Sequence, residues 1–598
     1  MCLGCVNPML LHNSLYEFES GPASIALPST SRRGFMALST AAVIGSALPV
    51  MGAGTARADD AASFKITTIF KGGTIVPMAG PATVEALAVS GNKIARIGAL
   101  ADVMALADKD TVVVDLAGRT LLPGLIDPHH HTLLASIYFE LLTDVGYLKN
   151  KTRADLIDDL RQMAARTPAG QWITASNFDN LLQGGDLSRQ ELDSVTTTHP
   201  IFVWYTNGHD ACVNSMGLKV AGIPNDIGTL PGGGHFGRDA NGQLNGLIYE
   251  ESAMLKVAVK AFPKITPQLA YKAVKQYMQS VAAAGNTLVH EPGTIQGAWI
   301  EAFAKVSLNA PVRTSASLMY DDMKGYEPYK ALGMGAKAVE VPNSLFNLYG
   351  IKIVGDGSNQ TMTGAQTEPY LDSKNKGKPN YSPEQFKAMV ANIKAAGLPV
   401  LIHCNGDYTI DLSLDAIEAA YGASTEFGIN RIEHSTMARP DQLTRMKKLK
   451  VEPSFLMNHV TLYGAAYRDQ IFGPERAAFM DPAGACVNED IRFTLHTDSP
   501  CSPIGPLRLV QTAVTRACEF DNTVVGKDQA ITVQRALEAI TIDAARQIGM
   551  DDRVGSLEVG KLADFTILAA NPLTTDPDKI AAIAVSETWV NGEKKFAA

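Results

Sequence analysis

Three consecutive histidines follow a short apolar run, in the segment Leu-Leu-Pro-Gly-Leu-Ile-Asp-Pro-His-His-His over residues 121–131. In an extended strand, residues i and i+2 lie on one face. His129 and His131 can therefore direct two ring nitrogens at one divalent metal ion, while His130 points away. The spacing predicts a metal site, although neighbouring histidines also occur in ordinary loops.

Other polar side chains end later apolar segments. His403 follows Val-Leu-Ile, His434 follows Arg-Ile-Glu, and Asp498 closes the segment Phe-Thr-Leu-His-Thr-Asp. A (β/α)8 barrel builds its active site from polar groups at the carboxyl ends of successive buried strands. The pattern therefore favours an α/β fold of the (β/α)8 TIM barrel type with one catalytic face.

Strands alternate with helices over residues 123–552, as is typical of parallel βα units. Eight strand candidates end near His131, Asn207, His290, Lys352, His403, His434, Met457 and Asp498. Eight is the number of strands in such a barrel. The segments 131–200 and 228–246 are longer than ordinary connections, and we expect them to form lids or walls of the site.

Both ends of the folded chain consist of short strand-like pieces separated by turn residues. Residues 59–122 hold four such pieces and residues 553–598 hold two, the second of which is followed by the turn pair Asn591-Gly592. We expect these two segments to form one small discontinuous β-sandwich domain beside the barrel.

The first 58 residues have the features of an export signal. Arg32 and Arg33 precede a moderately apolar, alanine-rich run over residues 37–54, and residues 56–58 form a small-x-small cleavage site. We therefore predict export by the twin-arginine translocase to the periplasm or beyond. A basic turn followed by a short helix is the alternative interpretation.

Composition narrows the class of protein. A formal net charge of −9 and a pI near 5.8 predict no basic surface for nucleic acid. No apolar stretch in the body of the chain is long enough to require a membrane span. Five of the seven cysteines follow residue 58, an odd number without paired metal-binding spacing, so no disulfide framework is expected. A homodimer is compatible with such a barrel, but no interface signal stands out.

In this order the motifs resemble those of the metal-dependent amidohydrolase superfamily and, within it, the third amidohydrolase family around the N-substituted formamide deformylases. The matching segments are 123–127 with His129 and His131, 207–209 with 213–215, Lys352 with 356–358, His403 with 406–407, 433–434, 497–498 with Pro500, and 555–564. They span nearly the whole chain after residue 58.

The resemblance implies a set of metal ligands. His129 and His131 would bind the more buried ion, His403 and His434 would bind a second one, and Asp498 would lie between metal and substrate. One or two divalent ions, with zinc as the first candidate, are the expected cofactor. A single histidine at a strand end is more often a hydrogen-bonded structural group, but four histidines in matching places favour ligands.

Lys352 lies in the apolar run 348–354, where a free ammonium would be costly to bury. The resemblance implies that it reacts with carbon dioxide, and that the resulting N6-carboxylated lysine bridges two metals. An unmodified lysine that is solvated or paired with Asp356 remains the alternative.

The expected reaction is hydrolysis of an amide or related C–N bond by a metal-activated water. Asp498 would accept the water proton and return it to the leaving nitrogen. His209 would help to polarise the carbonyl, or would be structural. The same site could instead open a lactam, hydrolyse an ester or deaminate a ring, and a non-catalytic exported binding protein is a further alternative.

Three more histidines depart from the usual pattern of the family. His496 stands where a glycine is common, His290 ends the predicted third strand, and His459 follows the predicted seventh strand. We predict that they contact the substrate, while core histidines hydrogen-bonded to the backbone are the alternative.

Overall fold

A computed structural model describes residues 65–598 apart from 209, 231–233, 263–266, 295–302, 304–305, 309, 322 and 324–345. The predicted export signal and His209 lie outside the described residues. Within the described part of the chain, no helix is both long and apolar enough to span a membrane.

The strands form three sheets. In chain order they are β1 (Thr68–Ile75), β2 (Val84–Ser90), β3 (Lys93–Gly98), β4 (Val112–Asp115), β5 (Thr120–Pro123), β6 (Leu125–Asp127), β7 (Thr143–Asp144), β8 (Ile173–Phe178), β9 (Ile201–Tyr205), β10 (Asp210–Val213), β11 (His235–Arg238), β12 (Leu244–Tyr249), β13 (Asn286–Thr294), β14 (Arg313–Met319), β15 (Phe346–Val354), β16 (Val400–Cys404), β17 (Arg431–His434), β18 (Glu452–Phe455), β19 (Thr494–Leu495), β20 (Phe565–Leu568), β21 (Val585–Val590) and β22 (Glu593–Ala597).

Helices lie between these strands. The α-helices described are Leu100–Met104, Thr132–Glu140, Arg153–Arg166, Arg189–Val195, Ser215–Ala221, Glu251–Ala261, Pro267–Ala283, Pro383–Ala395, Asp407–Tyr421, Pro440–Leu449, Asn458–Ala466, Pro474–Ala477, Ala483–Asn488, Pro506–Thr515, Val533–Ala539 and Ile542–Gln547. Short turns of other helix types are Tyr467–Ile471, Lys527–Gln529 and Pro577–Ala582. Helix starts follow local chemistry: Ser382 accepts a hydrogen bond from the Gln385 backbone and precedes Pro383, the arrangement expected of a helix N-terminus.

The two ends of the described chain share one sheet, in the order β22-β21-β20-β5-β1-β2-β3 with β4 on β1. Antiparallel pairing of β20 with β5 joins the two segments. The ring of Phe70 lies 5.3 Å from that of Phe565 and 5.1 Å from that of Trp589, so apolar packing ties the two ends together. The shared sheet agrees with the sequence prediction, whereas the sandwich arrangement and the domain bounds stay predictions.

The second sheet is an eight-stranded parallel barrel in the order β6-β13-β14-β15-β16-β17-β18-β19. Its first and last strands meet just beyond their carboxyl ends. There the Asp498 backbone N–H donates to the His129 carbonyl at 3.0 Å, and the His131 N–H donates to the Ser499 carbonyl at 2.9 Å. The barrel is therefore nearly closed, and this contact brings the triple-histidine segment beside Asp498.

The prediction assigned one strand to the barrel wrongly. The strand before Asn207, β9, belongs to a third sheet in the order β11-β12-β10-β9-β8-β7, and β14 takes its place in the barrel. The run Ile-Phe-Val-Trp-Tyr of β9 is more apolar than the run Arg-Thr-Ser-Ala-Ser-Leu-Met of β14. The polar residues of β14 are tolerated inside the barrel because Ser315 and Ser317 hydrogen-bond the ring of His290.

The third sheet is an insertion between barrel strands β6 and β13, and it reaches the catalytic face. Its loop after β8 is held by Asp179, whose carboxylate accepts hydrogen bonds from the backbone N–H groups of Leu181 and Leu182. The hydroxyl of Tyr463, on the barrel helix Asn458–Ala466, donates to the same carboxylate at 2.5 Å. This contact fixes the insertion against the barrel, as expected for a wall of the site.

Candidate active site and metal centre

The predicted ligands converge at the carboxyl ends of barrel strands. His129 Nε2 and His131 Nε2 each lie 3.2 Å from Asp498 Oδ1. On the other side, His403 Nδ1 lies 3.0 Å from His434 Nε2. All five side chains are buried.

His130 points away from this group, as the sequence predicts, although β6 already ends at Asp127. Its Nδ1 lies 3.0 Å from an Asp127 carboxylate oxygen and its Nε2 lies 3.0 Å from the Tyr277 hydroxyl. The middle histidine is thus held by structural hydrogen bonds, and its neighbours face the site.

Two buried carboxylates orient the first histidine pair. Glu433 Oε2 lies 2.7 Å from His129 Nδ1, and Glu291 Oε1 lies 3.0 Å from His131 Nδ1. When a metal is bound, such contacts favour the ring proton on Nδ1 and direct Nε2 towards the ion. The sequence analysis assigned no role to these glutamates, although both stand next to a histidine at a strand end.

The nearest groups behind the second pair are neutral, and one buried carboxylate, Asp356, lies slightly further away, with its Oδ1 3.5 Å from His403 Nε2. His403 Nε2 lies 3.1 Å from Asn405 Nδ2 and 3.3 Å from the Gly357 carbonyl. His434 Nδ1 lies 3.3 Å from His496 Nε2, and His496 Nδ1 lies 2.7 Å from the Ser454 hydroxyl. His496 thus stands behind a metal-ligand candidate, with both ring nitrogens engaged.

Burial sets the charge of these groups. It lowers the pKa of His403 and of His434 well below the usual histidine value, which keeps both rings in the neutral form that binds metals. Burial alone would raise the pKa of Asp498, but His129 and the hydrogen bonds from the first pair hold that pKa well below its usual value. Asp498 is therefore ionised, and the rings of the second pair are neutral.

The spacing of the donor atoms fits a divalent metal. Two ligand atoms bound at 2.0–2.1 Å to a tetrahedral ion lie about 3.3 Å apart. The separations of 3.0 Å within the second pair and 3.2 Å between Asp498 and the first pair are close to that value. Donor atoms of His129, His434 and Asp498 all lie within 4.8 Å of one another, as do those of His129, Glu433 and His496.

Lys352 is fully buried near the end of β15, between Met319 on β14 and Leu401 on β16. Its positive charge adds to the effect of burial in lowering the pKa of His403. Lys352 stands two residues before Val354, which is the cross-strand partner of His403.

The candidate substrate residues separate into two groups. His459 lines the cavity beside Asp498, together with Tyr463 and Cys501 from the barrel and the loop 178–181 from the insertion. His290 is not among the lining residues, and Ser315 and Ser317 lie 2.9 and 3.0 Å from its two ring nitrogens. The geometry does not support substrate contact by His290, because both of its polar atoms are already used inside the barrel.

The chain is similar to known proteins over most of its length. A sequence profile of the amidohydrolase family matches residues 112–594. The chain is 25% identical over 525 residues to N-substituted formamide deformylase of Arthrobacter pascens, covering 86% of this chain and 95% of that protein. It is 27% identical over 545 residues to Protein LONG AFTER FAR-RED 3 of Arabidopsis thaliana, covering 88% and 90%.

A solved structure shares the fold. It is an uncharacterized metal-dependent hydrolase from Pyrococcus horikoshii OT3, with a TM-score of 0.67 and 22% identity, over 85% of this chain and 99% of that one.

Proposed function

The chain belongs to the amidohydrolase family, and we propose that it is a metal-dependent hydrolase of an amide or related C–N bond. The observation that carries the proposal is the convergence of His129 Nε2 and His131 Nε2 on Asp498 Oδ1, at 3.2 Å each. This places a buried carboxylate beside two nitrogen donors at the mouth of a cavity.

We propose that His129 and His131 hold one divalent ion and that His403 and His434 hold a second. Zinc is the first candidate, because imidazole and carboxylate donors suit it. Such ions lower the pKa of a water molecule and polarise a carbonyl group when they are bound. Carboxylation of Lys352 would replace a buried ammonium by anionic oxygens that could also hold metal, which removes the cost of burying the cation.

Asp498 is the proposed general base and acid. As a carboxylate it takes the proton of the attacking water on a carboxylate oxygen, and it later gives that proton to the leaving nitrogen. The loop 178–181 and Tyr463 line the cavity beside Asp498, and the Tyr463–Asp179 hydrogen bond joins them. His209 is proposed to help polarise the carbonyl.

The name of the Arthrobacter relative makes N-substituted formamides the first compounds to test. Other N-acyl compounds, lactams and esters belong in the same panel, because a barrel scaffold does not fix its substrate. Export by the twin-arginine pathway remains part of the proposal, supported by Arg32, Arg33 and the alanine-rich run that follows.

The test is Asp498→Asn, which keeps the shape of the side chain and removes the base. We expect turnover of the best panel compound to fall about 10²–10⁴-fold, the usual contribution of general acid–base catalysis. Metal content is measured on the same preparation. Asp543→Asn is the matched control, because Asp543 is also buried but pairs with Arg535 outside the site. Activity within a few-fold of the parent at full metal content would show that another group moves the proton.

A further inference from the structure

His459 is the candidate substrate residue that lines the cavity, and it is not one of the proposed metal ligands. It is 2% exposed, lies on the helix Asn458–Ala466 and lines the cavity with Asp498 and His434. Its Nδ1 lies 3.3 Å from the Thr436 hydroxyl. This contact ends a series of hydrogen bonds from Asn405 through Thr436 to His459, and the partners of each group determine which atom donates.

The first member of this series of hydrogen bonds is Asn405, whose side-chain amide can be oriented in only one way. Asn405 Nδ2 lies 3.1 Å from the Gly357 carbonyl, which can only accept a hydrogen bond. The amide oxygen therefore faces the other way, and Thr436 Oγ1 lies 3.1 Å from it. Because the amide oxygen can only accept, the single hydroxyl hydrogen of Thr436 points at Asn405.

The Thr436 oxygen must then accept from His459. The hydroxyl has no second hydrogen to offer, so the contact at 3.3 Å requires a proton on His459 Nδ1. Burial lowers the pKa of His459 to about 4, so the ring is neutral near pH 7 and carries a single N–H. Nε2 is left with a lone pair, and among the described residues no hydrogen bond to it is found.

We propose that His459 Nε2 accepts a hydrogen bond from an N–H group of the substrate, so that the site selects secondary amides and formamides over their N-alkylated counterparts and esters. The inference rests on the proposed function and names the substrate class of that same site. A tertiary amide or an ester offers no donor there, and its bulk or lone pair would face the Nε2 acceptor and leave it unpaired.

The proton position can be tested without any substrate. In metal-loaded protein labelled with ¹⁵N-histidine, the His459 signals are identified by their loss in His459→Gln. At pH 7 we expect a neutral ring with the proton on Nδ1 and an unprotonated Nε2. A proton on Nε2, or a charged ring, would overturn the inference. Thr436→Val should redistribute the proton between the two nitrogens, because it removes the acceptor that holds it.

Selection is tested with three matched probes: N-butylformamide, N-butyl-N-methylformamide and butyl formate. The parent should favour the first, and His459→Leu should reduce that preference about tenfold, the value of one neutral hydrogen bond. His459→Gln should keep most of it, because its amide oxygen also accepts. His199→Leu is the control, since His199 is buried in the insertion with its Nδ1 3.2 Å from the Gln171 carbonyl.

The outcomes separate the two proposals. An active enzyme whose preference is the same in His459→Leu as in the parent overturns the substrate inference and leaves the proposed function standing. A metal-loaded parent that turns over neither formamide and no other member of the panel overturns the proposed function, and the selection claim falls with it.

Discussion

The two histidine pairs of the site differ in what stands behind them. His129 and His131 each face a buried carboxylate through Nδ1, at 2.7 and 3.0 Å. His403 and His434 face an amide, a carbonyl and another imidazole at 3.1 to 3.3 Å, and the nearest carboxylate behind them, Asp356, is 3.5 Å from His403 Nε2. Both pairs lie at the carboxyl ends of strands of one barrel. Their hydrogen-bond partners differ because different side chains lie next to them.

The carboxylates make the first pair the stronger set of ligands. A hydrogen bond to an ionised group is roughly twice as strong as a neutral one, and a carboxylate behind a histidine raises the basicity of its metal-binding nitrogen. Glu433 is itself held by Arg431, whose Nη2 lies 2.9 Å from the carboxylate. We therefore expect the proposed site to hold one ion more tightly than the other.

The largest expected effect is a difference in metal affinity between the two pairs, measured by removing metal from the unmutated protein. Each carboxylate is expected to add about 10–100-fold to metal affinity, so two of them should separate the dissociation constants of the two ions by at least about 100-fold. Titration with chelators of graded strength, followed by metal analysis, should show one ion released well before the other. His403→Ala should abolish the early step and His131→Ala the late one. Release of both ions in one step would remove the basis of the comparison.

A single substitution should reduce the difference. Glu433→Gln keeps the size of the side chain and removes its charge, so we expect the tightly held ion to bind about 10–100-fold more weakly. The measurement is competition with a chelator at fixed pH. Glu452→Gln is the control, because Glu452 is a buried carboxylate that pairs with Arg546 away from the site.

Glu433→Gln also leaves Arg431 without its buried partner, and loss of fold would obscure the result. Glu291→Gln avoids this, because Glu291 holds His131 and the Leu133 backbone N–H. If both folded variants bind metal like the parent, the carboxylates do not tune the site.

The sequence predicted which histidines come together, but it did not predict the groups behind them. The i, i+2 spacing of His129 and His131 predicted their common direction, although the strand itself ends at Asp127 and His131 caps the next helix. Glu433 and His129 are 304 positions apart, and their contact depends on β6 and β17 both reaching the same face of the barrel. Spacing along the chain carries no signal of that kind.

The same limit explains the misplaced strand. The apolar run of β9 satisfies the pattern of a buried strand, and it is buried, but in the inserted sheet. The polar run of β14 lies inside the barrel because His290, on β13, supplies partners for Ser315 and Ser317. A strand whose polar residues are satisfied by a neighbouring strand cannot be recognised from its own hydrophobicity.

The smallest effect should come from the neutral support of the second pair. His496→Leu removes the acceptor 3.3 Å from His434 Nδ1 and keeps apolar bulk beside His129, on whose ring His496 stacks at 4.6 Å. One neutral hydrogen bond is worth about 0.5–1.5 kcal/mol, so the weakly held ion should bind about 2- to 12-fold more weakly. Binding of the tightly held ion should be unaffected, so the ratio of the two dissociation constants should increase. His496→Gln should lose less, because its amide oxygen can still accept.

The result also decides between two roles for His496. Its donor atom lies within 4.8 Å of those of His129 and Glu433, so these three residues could themselves bind an ion. If they do, His496→Leu removes a ligand, and the loss should fall on the tightly held ion and exceed the range of one hydrogen bond. A large loss there would mean that Glu433 binds metal directly instead of orienting His129. The contrast between the two pairs would then lie in ligand number and not in hydrogen-bonded support.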